Sequence, residues 1–386
     1  MKCILIFTAL ACLSLQAISQ QPLKTRESHE IEWGEPTYYE QLIDRLTFPL
    51  AWNNAGIDDF NTWKDTAREK LFECMLALPP EAPFDMEITA AEKRDGYTAQ
   101  KILFNISGYS RVPAYLLVPD GEGPFPALLM LHDHGAEFYV GKEKMVRPFD
   151  VDPAVAQRAE EWAVQCYGGR FAGDEYAKKG YVVLSVDALF WGERGRKEGV
   201  NFYDGQQALS ANLLQLGMTW TGIITADDMR SVDFLESLPF VDGKRIGCVG
   251  FSMGAHRAWM LSAASEKIAA SAAVCWMNTT RYLMTPNNNQ LKGGSAYSML
   301  LPGIRNWLDY ADVANLACPR PMLFFNGRQD KLFPVAGVED AYAILRQTWE
   351  SQGAGECLTT KLWDLPHTFN AEMQEEVLLF FNKHLK

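Results

Sequence analysis

The stretch Ile246-Gly247-Cys248-Val249-Gly250-Phe251-Ser252-Met253-Gly254 decides the fold, because it places a serine between two glycines directly after an apolar run. This spacing predicts a buried strand, a sharp turn and a helix, with Ser252 on the turn. A side chain at Gly250 or Gly254 would crowd such a turn, which accounts for both glycines. The helix that follows directs its first N–H groups towards the reaction centre, where they stabilise a developing anion. The turn therefore predicts a nucleophilic serine.

Apolar periodicity on either side of this turn predicts the rest of the fold. Residues 20–84 have helical character, clearest from Asp59 to Leu76, which predicts an N-terminal helical extension. Residues 85–386 show strand periodicity first, and then strands that alternate with helices. The predicted strands are residues 86–88, 101–106, 112–118, 127–131, 181–186, 245–249, 270–275, 321–325 and 359–363, and the predicted helices are residues 222–238, 255–265, 341–351 and 372–384. This order is typical of an α/β-hydrolase domain, with a mostly parallel central sheet and helices on both faces.

A serine nucleophile needs a base that accepts its proton, and the chain offers three histidines after Ser252. His367 follows a predicted strand, so it lies at the carboxyl edge of the sheet, where the sites of open α/β sheets are found. His256 lies only four residues beyond Ser252 on the same predicted helix, which is too close to reach back. His384 belongs to the last predicted helix. We therefore predict that His367 is the base.

The base needs a carboxylate that orients it, and in α/β-hydrolases this acid comes between the serine and the histidine. Asp330 follows the predicted strand 321–325 after a short loop, and it lands on the same carboxyl edge. Asp364, three residues before His367, is the alternative, although it is still close to strand level. The sequence favours Asp330.

An oxyanion needs two N–H donors, and the first should be Met253, directly after the serine. The second should come from the loop His132-Asp133-His134-Gly135-Ala136, which follows the strand that ends at Leu131. We predict His134, with Ala136 as the alternative. His132 and His134 flank an aspartate, but two histidines and one carboxylate are a weak metal pattern. We therefore predict neither a metal nor another cofactor.

Two further segments belong to the rim of the predicted site. The segment from Asp187 to Gly195 follows a parallel strand and reaches the same edge. Trp191 and Arg194 contact substrate there in one interpretation, whereas in the other Arg194 bridges a carboxylate and the glycines shape a turn. Residues 276–307 interrupt the alternation of strands and helices, and they are a candidate cap over the pocket.

Composition limits the function classes. The formal net charge of the chain is −12 and its pI is about 5.1, which argues against a nucleic-acid partner. Residues 1–19 have the lysine, the apolar stretch and the small residues of a secretory signal peptide, so we expect Gln20 to begin the mature chain. Cys12 offers the alternative of a lipoprotein. No later apolar run is long enough to predict a membrane span. Six cysteines follow the predicted signal peptide, and the sequence leaves open whether two of them form a disulfide.

Three stretches carry a resemblance to a known family, and they are Leu131–Gly135 with Gly141–Lys144, Asp242–Ala255, and Asn326–Pro334. Over residues 35 to 386 the chain resembles the dienelactone hydrolase-like and acetyl xylan esterase-like branch of the α/β-hydrolases. More narrowly, it resembles secreted bacterial esterases associated with polysaccharide utilisation. The resemblance implies hydrolysis of carboxylic esters, removal of acetyl groups from a polysaccharide or oligosaccharide, and a periplasmic location. The chain departs from the family pattern at Asp133, because many hydrolases have glycine there.

Other functions remain open at this point. A uronic-acid methyl ester or a feruloyl ester would suit the same catalytic groups. A serine exopeptidase would share them too, but such enzymes usually carry a much larger extra domain. A carbohydrate-binding relative without activity is the alternative from another class, and an intact set of Ser252, Asp330 and His367 argues against it. The oligomeric state is not indicated by the sequence.

Overall fold

The computed structural model describes residues 30–32, 35–195, 202–285, 288 and 296–386. The predicted signal peptide, Cys12 and part of the candidate cap segment lie outside these ranges. The strands are β1 (Ile31–Glu32), β2 (Glu35–Pro36), β3 (Glu87–Arg94), β4 (Tyr97–Ser107), β5 (Ser110–Pro119), β6 (Phe125–Leu131), β7 (Val182–Val186), β8 (Val241–Phe251), β9 (Ala270–Val274), β10 (Met322–Gly327) and β11 (Leu358–Trp363). The helices are α1 (Tyr39–Asp44), α2 (Phe60–Met75), α3 (Pro153–Cys166), α4 (Ala172–Lys178), α5 (Phe202–Gln215), α6 (Trp220–Ser237), α7 (Met253–Ala264), α8 (Thr280–Leu283), α9 (Tyr310–Asn315), α10 (Val335–Ser351) and α11 (Ala371–Leu385).

A sheet of nine strands forms the centre of the molecule, in the order β11-β10-β9-β8-β6-β7-β5-β4-β3. The strands from β11 to β7 are parallel to their neighbours. The strands β5, β4 and β3 continue the sheet in antiparallel pairs. This confirms the predicted sheet, which is mostly parallel and begins with antiparallel strands in the sequence.

Helices cover both faces of the sheet because the central strands are apolar on both sides. In β6, Leu128 and Met130 pack in a cluster with α4 and α11. The alternate residues Leu129 and Leu131 pack in a different cluster, with α6 and α7. Successive side chains of a strand point to opposite faces, so this alternation places the sheet between two helical layers.

The N-terminal extension contributes a helix to one of these layers. In α2, Trp63, Ala67, Leu71 and Met75 recur every four residues and are completely buried. Such spacing puts them on one helix face, and that face packs in the same cluster as residues of α7. The described part of the extension also contains the short antiparallel pair of β1 and β2, which the sequence did not predict.

The sequence prediction also missed five of the described helices and part of a strand. Helix α3 buries only the small residues Ala159, Ala163 and Cys166, so it lacks the large apolar side chains that make a helical period visible. The sequence did not predict helices α4, α5, α8 and α9 either. Strand β3 runs to Arg94 although the prediction ended at residue 88, because most of its side chains on the sheet edge are exposed.

All six described cysteines are free thiols, so the disulfide that the sequence had left open is not formed among them. Within the described ranges, no helix combines the length and the apolar character that crossing a bilayer requires.

Candidate active site

The turn between β8 and α7 holds Ser252 in a strained backbone conformation. Its φ is 57° and its ψ is −120°, outside the regions that a serine prefers. A Cβ at Gly254 would lie 1.9 Å from the carbonyl oxygen of Leu131, and a Cβ at Gly250 would lie 2.0 Å from the carbonyl oxygen of Gly254. Backbone surrounds both positions, so only glycine fits. The Ser252 N–H donates to Val274 O at 2.8 Å, which ties the turn to β9.

The two ends of helix α7 differ in their hydrogen bonds. Met253 is its first residue, so the Met253 N–H has no acceptor within the helix and faces the serine end. At the other end, the Arg320 guanidinium donates to Ser265 O at 2.9 Å, to Ile268 O at 2.8 Å and to Ser262 O. Burial lowers the pKa of Arg320 to about 10, which leaves it a cation near neutral pH. A cation at a helix carboxyl end is favourable because it opposes the negative end of the helix dipole.

The structure brings His367 and Asp330 together at the carboxyl edge of the sheet. The His367 Nδ1–H donates to Asp330 Oδ2 at 2.6 Å. The side chain of Asp330 is fully buried and that of His367 is 22% exposed. The second oxygen, Asp330 Oδ1, accepts the Leu332 N–H at 2.8 Å. A buried carboxylate with both oxygens hydrogen-bonded holds the imidazole in one orientation.

The His367 ring lies close to the serine turn. Its centroid is 4.7 Å from that of Phe251, the residue before Ser252, and 6.0 Å from that of Phe333, which stacks on it. Among the described residues, no hydrogen bond joins the Ser252 hydroxyl to His367. Catalytic contacts of this kind are often long without a bound substrate and tighten in the complex.

The alternative acid and the other histidines lie in different surroundings. Asp364 is exposed, and its Oδ1 accepts from Gln329 Nε2 at 3.0 Å. His256 is buried between the rings of Trp259 and Trp276, and burial lowers its pKa to about 3. It is therefore neutral and a very weak base. His384 packs on Phe380 near the end of α11, far along the chain from the loop of His367.

The loop after β6 is tightly hydrogen-bonded. His132 Nδ1 donates to Asp133 O at 2.9 Å, while its Nε2 accepts the Ala188 N–H at 2.9 Å. Burial first, and then nearby cations, lower the pKa of His132 well below its ordinary value, so the ring is neutral. His134 Nε2 lies 3.1 Å from Gln206 Oε1, and its Nδ1 accepts the Ala136 N–H at 3.0 Å. That last bond occupies the N–H of the alternative oxyanion donor, Ala136.

Asp133 stands where many hydrolases have glycine, and its carboxylate explains the departure. Asp133 Oδ1 accepts the Tyr167 hydroxyl at 2.5 Å and Trp162 Nε1 at 3.2 Å. Asp133 Oδ2 lies 3.3 Å from the ammonium of Lys144, which is completely buried. The side chain therefore anchors the loop from below. Sequence reasoning missed this role, although an aspartate at a glycine position followed by two nearby lysines was a usable signal.

Three carboxylates near the rim are close enough to one another to bind a cation. Oxygens of Glu143, Asp187 and Glu193 lie within 4.8 Å of one another. The ammonium of Lys142 contacts all three, at 2.7, 2.9 and 2.7 Å respectively. Burial lowers the pKa of Lys142, but the carboxylates Asp187, Glu143 and Glu193 more than reverse this and raise it well above its ordinary value. A lysine cation thus stands among these carboxylates.

Trp191 and Arg194 brace the rim segment. Trp191 is completely buried, and its Nε1–H donates to His134 O at 3.1 Å. Arg194 Nη1 donates to Asp227 Oδ2 at 2.7 Å and to Asp187 O at 3.0 Å. The indole of Trp191 is thus buried in this structure, and its contact with a substrate stays a prediction. For Arg194, the contact with Asp227 is the one expected in the second interpretation, and a contact with substrate stays a prediction.

Comparison with known proteins finds a relative in a bacterium. In Bacillus subtilis (strain 168), the protein "Putative hydrolase YtaP" is 26% identical to this chain over 321 residues. The alignment covers 82% of this chain and 98% of YtaP. The similarity thus extends over nearly all of YtaP and over most of this chain.

Two solved structures are similar in fold, and a family model matches most of the chain. A "putative acetyl xylan esterase" from Bacteroides fragilis NCTC 9343 has a TM-score of 0.63 and 19% identity, over 84% of this chain and 80% of the other. A glucuronoyl esterase from Solibacter usitatus has a TM-score of 0.62 and 14% identity, over 86% and 95% of the two chains. The model of the Abhydrolase family matches residues 40–352. The chain therefore belongs to the Abhydrolase family, and its α/β-hydrolase fold is the one that the sequence predicted.

Proposed function

We propose that the protein is a serine carboxylic-ester hydrolase that removes acetyl groups from a polysaccharide or oligosaccharide. One observation carries the proposal: Ser252 occupies a strained turn at the sheet edge where His367 and Asp330 are 2.6 Å apart. A serine on such a turn, a histidine and a buried carboxylate are the three parts of a nucleophilic triad. The family, which consists of hydrolases by name, agrees with this assignment.

The reaction would proceed in two balanced halves. Ser252 Oγ adds to the acyl carbonyl carbon, and its proton passes to His367 Nε2 while Asp330 supports the charged ring. The tetrahedral oxyanion accepts hydrogen bonds from the Met253 and His134 N–H groups. The sugar oxygen then leaves with the proton of His367, and an acyl-enzyme remains. Water attacks this acyl-enzyme with His367 as base, which releases acetate and restores the serine.

Similarity to carbohydrate esterases supports the choice of a sugar ester. The Bacteroides fragilis structure is called an acetyl xylan esterase, and the Solibacter usitatus structure a glucuronoyl esterase. The second name favours one alternative substrate, an ester of a uronic acid. We further propose that residues 276–307 form a cap over the bound sugar. Of these residues, 286–287 and 289–295 lie outside the described ranges.

The decisive experiment measures hydrolysis of p-nitrophenyl acetate and butyrate by the mature chain, with Ser252→Ala beside the wild type. The matched control is Ser110→Ala, at the start of β5. We expect turnover that favours acetate, that falls at least 10³-fold in Ser252→Ala, and that is unchanged in Ser110→Ala. Acetate release from acetylated xylan and methanol release from a methyl glucuronate then distinguish the two substrates. Sugar binding without serine-dependent turnover would contradict the proposal.

Secretion to the periplasm is a separate part of the proposal and rests on residues 1–19. Expression of the full chain followed by N-terminal sequencing tests it directly. A mature chain that begins at Gln20 is the expected result. Lipid attached to Cys12 would instead favour the lipoprotein alternative, and an uncleaved chain would contradict secretion through this segment.

A further inference from the structure

The buried Lys144 donates hydrogen bonds to the backbone of the loop after β6, which carries the proposed second oxyanion donor, His134. The Lys144 ammonium donates to Asp133 O at 3.0 Å and to His134 O at 3.0 Å. It also lies 3.3 Å from the Asp133 carboxylate, and neither side chain has more than 1% of its surface exposed. Burial lowers the pKa of Lys144 and the Asp133 carboxylate opposes that effect. Asp133 therefore supplies both the counter-charge of this cation and one of its two backbone acceptors.

The hydrogen bond from Lys144 to the Asp133 carbonyl also orients the neighbouring N–H of His134. In a trans peptide unit the C=O and the following N–H lie in one plane and point in opposite directions. The carbonyl of Asp133 shares its peptide plane with the N–H of His134. A donor that holds this carbonyl on the buried side thus turns the His134 N–H towards the opposite side of the loop.

A second donor holds the same carbonyl. His132 Nδ1 is 2.9 Å from Asp133 O, and the Ala188 N–H donates to His132 Nε2 at 2.9 Å. Because Nε2 accepts a hydrogen bond, the neutral ring carries its proton on Nδ1 and donates it to the carbonyl. Two donors on one acceptor leave the peptide plane little freedom to rotate.

We propose that Lys144 is a positioning residue that fixes the direction of the His134 N–H as an oxyanion donor, with Asp133 supplying both the carbonyl it grips and its counter-charge. The inference rests on the proposed ester hydrolysis. It also explains why aspartate replaces glycine at position 133, since a buried ammonium without a partner charge is strongly destabilising. Trp162 and Tyr167 hold the second carboxylate oxygen and keep the aspartate in place.

Lys142 is a natural control because it is equally buried and only two residues away. Its ammonium contacts the carboxylates of Glu143, Asp187 and Glu193 rather than the carbonyls of the loop. Removal of either lysine leaves buried carboxylates without a partner and should lower Tm. Only removal of Lys144 takes away one of the two donors that hold the Asp133 carbonyl.

The test compares Lys144→Met, the double variant Lys144→Met with Asp133→Asn, and Lys142→Met. The double variant avoids an unpaired carboxylate, so it keeps the test valid if the single variant does not fold. For each we measure Tm, kcat and KM for p-nitrophenyl acetate, and the inhibition constant of phenylboronic acid. This probe bonds Ser252 Oγ to boron as the serine proton passes to His367, and it presents a boronate oxygen to the oxyanion donors.

We expect both Lys144 variants to lose roughly 30- to 100-fold in kcat with KM within about threefold, and to bind the boronic acid correspondingly more weakly. We expect Lys142→Met to lower Tm while kcat and inhibition stay within about threefold of the wild type. The inference is overturned if the Lys144 variants lose only Tm, or if Lys142→Met loses as much kcat. A wild type without Ser252-dependent turnover would overturn the proposed function, and this inference with it.

Discussion

The Nδ1 atom of His367 lies 2.6 Å from the Oδ2 atom of Asp330, although the two residues belong to loops after different strands. Those strands, β10 and β11, are adjacent and parallel, with Gly327 opposite Trp363 at their carboxyl ends. A Cβ at Gly327 would lie 2.3 Å from the carbonyl oxygen of Leu365. A glycine at the end of β10 therefore lets the histidine loop approach the acid loop. The sheet edge, rather than a flexible segment, sets the distance between the proposed base and the proposed acid.

The first prediction separates the two candidate acids. Asp330→Asn should lower kcat for p-nitrophenyl acetate roughly 10³- to 10⁴-fold, because an amide in place of the carboxylate stabilises the wrong histidine tautomer. Asp364→Asn is the matched control, with an exposed side chain, and should stay within about twofold. Circular dichroism and Tm verify that both variants fold. A larger loss in Asp364→Asn than in Asp330→Asn would reverse the assignment.

The second prediction concerns the close approach at the serine turn. Gly254→Ala puts a methyl group 1.9 Å from a backbone oxygen of β6, which cannot move as a side chain can. We expect a loss of about 3 kcal/mol or more in the free energy of unfolding, measured by urea titration. Gly355→Ala is the control, since its Cβ would meet only the flexible Glu350 side chain at 3.3 Å. Equal stabilities of the two variants would refute the argument from packing.

The third prediction distinguishes the two alternatives for Arg194. If Arg194 only braces the rim through Asp227, then Arg194→Met and Asp227→Asn should both destabilise the protein, by about 3 kcal/mol for a broken buried pair. KM for the best ester should then be similar in both variants. Urea unfolding and steady-state kinetics measure the two quantities. A rise in KM confined to Arg194→Met would instead indicate contact with the substrate.

The fourth prediction concerns pH and Asp312. Its Oδ2 accepts the Asp309 N–H at 2.9 Å, and burial raises its pKa from 3.8 to about 7. The hydrogen bond from the Asp309 N–H and the charge of Arg305 oppose this rise, whereas the charge of the Asp309 carboxylate adds to it. Between these two values the folded protein keeps a proton that the unfolded chain has released. The contribution of this group to stability is therefore complete below about pH 4 and is lost as the pH rises to about 7.

Asp312→Asn is neutral at every pH, so it should remove this slope. We expect the free energy of unfolding of the variant, relative to that of the wild type, to increase from pH 5 to pH 8, by at most about 1.4 kcal/mol for each pH unit. Urea titrations at the two pH values measure it, with Asp58→Asn as an exposed control. A difference that does not change with pH would show that Asp312 is not protonated in the folded protein.

Much of the fold and of the candidate site could be predicted from local pattern. Ser252, Asp330 and His367 each follow an apolar run that forms a strand, and parallel strands bring their carboxyl ends to one edge. The central strands and α11 could be predicted because their large buried side chains recur with a clear period along the sequence. Helix α3 was missed because small residues make up its buried face.

What could not be predicted depends on contacts within the interior. The pairing of Asp133 with Lys144 joins residues eleven positions apart, and only the completed fold shows that both are buried. The burial of Trp191 is similar, because a tryptophan on a predicted rim loop has no local feature that separates a binding surface from a packed core. Charge and aromatic composition name the candidates, but the direction of each side chain is decided by long-range packing.

Arg320, at the far end of α7, helps to hold Ser252 in position through the helix. Helix α7 has 12 residues and is therefore about 18 Å long, with Ser252 before one end and the contacts of Arg320 at the other. The orientation of Ser252, the proposed nucleophile, thus depends partly on Arg320 at the opposite end of the helix. Searches for improved or temperature-adapted variants should sample the surroundings of Arg320 as well as the pocket. A substitution there changes the tilt of helix α7, and with it the position of Ser252 at the other end.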